Sequence, residues 1–268
     1  RSLCDWSSDV CSSDLFLFVS LFTFAQTAIN DTTKTGLFYK PAKKQSPFTS
    51  DYGIATSNLW RGVDVGKQPV IKMIADYQPC DWFTLNSEAN VVYNQFKDGY
   101  GNTIKTQAVA NILNTSIGVQ DVYFNQNTPT QSDTSFFHFD KATTNHFFEG
   151  ILKYKGDVKS RINFLTSYVF YQNQSYKKGA VYFEATYHLD YNADLFVGYV
   201  TGESQLNFQS KAGFTNVGVV IKRVLQFSKT TDAQSRLTIM VNPMYKTAIV
   251  PNSTVANRPI TANLQILF

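Results

Sequence analysis

Between residues 181 and 190, Val181, Phe183, Ala185, Tyr187 and Leu189 fall on one parity and Tyr182, Glu184, Thr186, His188 and Asp190 on the other. Side chains of a β-strand alternate between its two faces, so this segment predicts a strand with one apolar and one wet face. The split recurs over 81–94, where Phe83, Leu85, Ala89, Val91 and Tyr93 oppose Thr84, Asn86, Glu88 and Asn90. Ile71, Met73, Ala75 and Tyr77 alternate with Lys72, Ile74 and Asp76, and Ile104, Ala108, Ala110 and Ile112 stand against Lys105, Gln107 and Asn111. Turn signals between such runs predict twelve strands, at 51–61, 69–78, 81–94, 103–113, 116–125, 146–155, 160–172, 179–190, 193–202, 214–227, 235–248 and 259–268. Their length suits a tilted bilayer crossing, which takes about 9–11 residues.

The connections alternate as well. Short ones are expected around Pro79-Cys80, Asn114-Thr115, Gly156-Asp157 and 190–192, with a moderate one after the tenth strand. Longer, more polar ones fall at 97–102, 125–145, 172–179, 202–213 and 249–258. Short turns on one rim and long loops on the other are expected of an outer-membrane barrel, whereas a β-sandwich gives no reason to sort loop lengths by parity. The predicted fold is therefore all-β, an antiparallel transmembrane β-barrel of about twelve strands. Two segments resist the scheme. Asp121 shares parity with Ile117, Val119 and Tyr123, so a bulge or a packed exception is expected there, and Tyr52 to Arg61 has no clear alternation.

Composition refines this. Apolar residues make up 43% of the 268, charged residues 16% and aromatics 15%, too aromatic and too weakly charged for a disordered chain. A mean hydropathy of -0.20 is compatible with a barrel, which presents only every second residue to lipid. The net charge of +4 comes without a basic run, which argues against nucleic acid. Residues 5–15 read DWSSDVCSSDL, like a translated sequencing adapter, so 1–14 are expected to be an artefact. Residues 15–25 are then the apolar remnant of a secretory signal peptide, too short to span a bilayer as a helix. An N-terminal periplasmic segment is expected over 26–50 and the barrel over 51–268. With Cys80 alone after the signal, no disulfide framework is expected.

The segment Thr56 to Ile71, with Trp60-Arg61-Gly62 at its heart and Ala75-Asp76-Tyr77 beyond, resembles the opening hairpin of the TorF-type porin family. Leu59 departs mildly, standing where that family often has an aromatic or Val. A looser likeness runs through Thr201-Gly-Glu-Ser204 and Thr215-Asn-Val-Gly218, and Phe24-Ala25-Gln26 suggests a Bacteroidota-like source. The terminal strand, with Leu264, Ile266 and Phe268 on its apolar face, resembles the signal read by the barrel-assembly machinery. These resemblances imply a barrel in the outer membrane of a Gram-negative bacterium, with lipid and the assembly machinery as partners, channel activity, and no catalytic residues or cofactors.

If the apolar faces meet lipid, the inner faces carry Lys72, Asp76, Glu88, Lys105, Glu149, Lys153, Glu184, His188 and Lys222. These charges either line a narrow channel or pair across it and close it. Arg61 is placed near the outer mouth, pointing inward, where it holds the 62–68 loop through an ion pair or meets solute. The loop at 125–145 carries Phe136-Phe-His-Phe139, expected as an aromatic girdle at the outer interface or else as an inward constriction. His138, His146 and His188 are the only histidines, and no Gly-x-Ser-x-Gly accompanies them, so an outer-membrane hydrolase and a metal site are both disfavoured. A closed structural or adhesion barrel is the remaining alternative to a channel for small solutes.

Overall fold

β-Branched and aromatic residues at alternate positions fit the pleated surface of a sheet, and in the computed structural model they form strands throughout; no helix occurs among the described residues. Those residues are 46–65, 68–93, 100–126, 136–156, 160–175, 179–189, 192–226, 232–245, 255–256 and 258–268. The adapter-like stretch and the signal remnant lie outside them, as do 26–45. The strands are β1 (Phe48–Ala55), β2 (Leu59–Trp60), β3 (Val63–Val65), β4 (Val70–Cys80), β5 (Phe83–Val92), β6 (Tyr100–Ile112), β7 (Thr115–Gln126) and β8 (His146–Lys155). There follow β9 (Ile162–Tyr171), β10 (Val181–His188), β11 (Ala193–Val200), β12 (Gly213–Gln226), β13 (Asp232–Val241), β14 (Val255–Ala256) and β15 (Ile260–Leu267).

Twelve of these close an antiparallel barrel in the order β1-β15-β13-β12-β11-β10-β9-β8-β7-β6-β5-β4, and β14-β3-β2 form a separate three-stranded sheet. The seam pairs Ala55 with Gln265 and Gly53 with Leu267, so the last strand closes on the first and the barrel sheet has no open edge. One rim carries tight connections, such as Asp81-Trp82 and Leu113-Asn114, and the other carries all the long ones. The fold class and strand number read from the alternation hold. The predicted first strand divides: its barrel part starts at Phe48, and Leu59-Trp60 leaves the wall to pair with β3.

The two faces of the barrel wall differ in burial. Many interior positions are polar, with Glu149, Gln120, Asn216, Asn263 and Gln265 all buried, beside an apolar cluster around Val63, Phe124 and Phe147. Outward positions are apolar and open, among them Ile54, Ile117, Phe164, Leu195 and Leu264, each 43–56% exposed. Asp121 is the packed exception. It keeps regular pairing with Phe148 on β8, and on the outer wall its carboxylate meets His146 Nδ1 at 2.9 and 3.0 Å. His146 Nε2 lies 2.5 Å from the carbonyl oxygen of Phe136, and the rings of Phe136, Phe139, Tyr123 and Phe148 surround the imidazole. The described part of the long loop therefore packs on the outside of the barrel, as a girdle would, and does not fold inward.

Candidate functional site

What enters the lumen is the segment that resembles a family motif. Arg61 and Gly62 are the central pair of a two-residue hairpin between β2 and β3, with φ of 42° and 97°. Positive φ at both positions is what a primed turn demands, and glycine supplies it at the second without strain. Gly62 also passes so close to the wall that a Cβ there would stand 2.2 Å from the Thr215 carbonyl oxygen. The hairpin carries Val63, Val65 and Trp60 against Val122, Phe124, Phe147 and Val169 of the wall, and against Leu206 and Phe208 of the β11–β12 connection. Trp60 Nε1 donates to the Leu206 carbonyl at 2.8 Å, and Asn242 Nδ2 to that of Gly62 at 3.2 Å. An apolar plug thus fills the lumen towards the long-loop rim.

Arg61 fastens the plug. Its guanidinium makes a two-pronged pair with Glu149, 2.8 Å on each prong, and donates to Asn207 Oδ1 at 2.7 Å. It is stacked between the rings of Trp60 and Tyr182, at 4.7 and 4.3 Å from their centroids. Glu149 has no exposed surface and also accepts from Gln120 Nε2 and Ser167 Oγ, so each of its lone pairs is directed at a donor. Burial disfavours the charged guanidinium, and the Glu149 carboxylate more than offsets this, holding Arg61 above its ordinary value. Charge-assisted, bidentate bonds of this kind are the strong ones.

Below the plug lies a chamber of about 380 Å³ whose lining includes Asn58, Trp60, Lys72, Glu184 and Arg236. On one wall Glu88 bridges Lys72 at 2.8 Å and Lys105 at 2.6 Å. Asp76 accepts from Asn86, Asn86 accepts from Gln107, and Gln107 accepts from Lys153 at 2.8 Å. On the opposite side of the strand order, Asp194 receives Lys222 at 2.5 Å and lies 2.6 Å from His188, while Glu184 accepts from the Tyr182 hydroxyl at 2.6 Å. The ten residues singled out from sequence thus fall into three interior groups. Arg61 pairs with Glu149 and rests on Tyr182, which donates to Glu184; Lys72, Glu88, Lys105, Asp76 and Lys153 lie in two adjoining networks that make up the second group; His188 and Lys222 share Asp194.

Sequence reasoning did not single out Asp194, Tyr182 or Arg236. The signal for Arg236 was present, since Arg236, Thr238 and Met240 alternate with outward Leu237, Ile239 and Val241. Nothing local marked Tyr182 as the ring on which Arg61 rests, because that contact joins residues 61 and 182 through the tertiary fold. The histidines are engaged separately: His146 by Asp121 and Phe136, His188 by Asp194 and Asn163, and His138 by Thr143. Among the described residues no three His, Cys, Asp or Glu side chains gather as a metal site. The chain matches no protein-family model and no curated protein.

Proposed function

We propose that the barrel resides in the outer membrane of a Gram-negative bacterium as a channel for small solutes, related to the TorF-type porins. Its long-loop mouth would be occluded by the β2–β3–β14 plug in the state described. The reading rests on one observation above all: apolar side chains are exposed around the whole outer wall while polar and charged ones are buried inside. In water that arrangement would leave a large apolar surface unprotected, whereas in a bilayer each face has its matching solvent. Outward aromatics near both rims, Tyr77, Trp82, Tyr154 and Phe164 at the short-turn end and Tyr93, Phe170 and Phe214 at the long-loop end, fit the two interfacial girdles. Lipid and, during biogenesis, the assembly machinery reading the apolar face of β15 with Leu264 and Ile266 are the expected partners. No catalytic role is assigned to the histidines.

A closed barrel serving envelope structure or adhesion is the second reading, favoured by the apolar core that fills the upper lumen. Conductance of the refolded chain in a planar bilayer separates them. Steps that change size or ion preference when Glu88 is neutralised support the channel. A folded barrel that stays silent, even when the plug is released by replacing Glu149, refutes it.

A further inference from the structure

Several interior charges meet an opposite charge, and Lys153 and Glu184 are held by the neutral Gln107 and Tyr182. Glu88 has two lysines, Asp194 has Lys222, and Glu149 has Arg61. Arg236 has no ionic or hydrogen-bonding partner among the described residues, yet it lines both the chamber and a second cavity of about 320 Å³ at the short-turn mouth. The register places two further donors beside it. Lys222 stands directly across on β12 and Gln265 directly across on β15, so an ammonium, a guanidinium and an amide form one row over three adjacent strands. Gln265 is buried and lines the same two cavities. Two residues further along β13, on the same face, Thr238 stands across from Asn263, adding a hydroxyl and an amide to the same wall.

We propose that this row is a binding site for a small organic oxyanion, a carboxylate or phosphate carried on a hydroxylated body, entering from the short-turn mouth. The inference deepens the channel reading by naming its solute class. A free guanidinium presents a planar fork that matches two oxygens of one oxyanion, and Lys222 and Gln265 flank it with further donors. Asp194 balances the charge of Lys222 and takes one of its three N–H donors, so Lys222 contributes the others. The surrounding walls offer uncharged donors and acceptors, Thr186, Thr238, Asn90 and Asn216, suited to hydroxyl groups, beside the carboxylates of Glu88, Glu184 and Asp194, which are engaged by Lys72 and Lys105, by Tyr182 and by Lys222. A chamber of this size falls within the range of about 300–1,000 Å³ typical of small-molecule sites. The plug closes the far end, so a solute entering from the short-turn side would come to rest against Trp60 and Arg61 until the plug moves.

The test is calorimetric titration of gluconate, and separately of inorganic phosphate, into the refolded full chain in detergent. Saturable binding that weakens at least tenfold in Arg236→Gln, weakens less in Arg236→Lys and is unchanged in the exposed-rim variant Lys155→Gln is the expected result. Binding of gluconate alone identifies a hydroxylated carboxylate, and binding of both identifies any oxyanion. Absence of binding by either probe, or binding indifferent to Arg236→Gln, overturns the site. Should Arg236→Gln lose the heat-modifiable migration of the folded barrel, Gln265→Ala takes its place with the same criteria. Because binding is read without a bilayer, a barrel that binds gluconate but never conducts would retain the site and lose the channel.

Discussion

Replacing Glu149 by Gln should release the plug without unfolding the barrel. The Arg61 guanidinium is 7% exposed and Glu149 not at all, so the substitution strands a buried charge. Breaking a buried pair by removing one partner costs about 3–5 kcal/mol. The apolar hold on the hairpin is of the same order: burying Val63 and Val65 contributes about 1.5–3 kcal/mol each. The ion pair therefore decides whether the hairpin stays seated, while the twelve-strand ladder does not depend on it. Amide hydrogen exchange of residues 59–65 reads the effect directly. At about 1.4 kcal/mol per factor of ten, the plug opening equilibrium should shift by at least a hundredfold, with the exchange of β4–β7 unchanged. The double variant Arg61→Met with Glu149→Met removes both charges and keeps apolar volume, and should restore most of the protection. Wild-type exchange in Glu149→Gln, or a double variant as open as the single one, would refute the reasoning.

Gly62→Ala should unseat the same hairpin by a different route, because its Cβ would collide with the Thr215 carbonyl; raised exchange over 59–65 checks it. On the outer wall, His146→Leu strands the Asp121 carboxylate beneath the Phe136–Phe139 rings and should lower the temperature at which heat-modifiable migration is lost. Asp121→Leu combined with His146→Leu should recover much of that loss. Val119→Arg places a cation on an outward, 45% exposed position; in a bilayer it should cost up to about 2–4 kcal/mol near the midplane. On a water-exposed surface the same change would stay within about 0.5 kcal/mol, so urea unfolding from lipid vesicles distinguishes the two environments. Glu88→Gln leaves Lys72 and Lys105 without their shared carboxylate and should shift the reversal potential towards anion preference in any conducting state.

The sequence by itself determined the wall of this protein. Period-two alternation is a local property of the backbone, so Lys72, Glu88, Lys105 and Glu184 could be placed on one face, and Ile71, Leu85 and Phe183 on the other, without knowing any neighbour. Loop lengths sorted by parity carried the up-and-down order for the same reason: a short connection can only join adjacent antiparallel strands. Tertiary structure alone decided what fills the barrel. Trp60, Val63 and Val65 read as the end of a strand and a loop, and their apolar partners, Phe124, Phe147 and Phe208, come from distant connections and strands. Whether Arg61 faces solute or a carboxylate depends on Glu149, 88 residues away in the chain. Such pairings are set by curvature and shear of the closed sheet, which act on all twelve strands together and leave no trace in the spacing along any one of them.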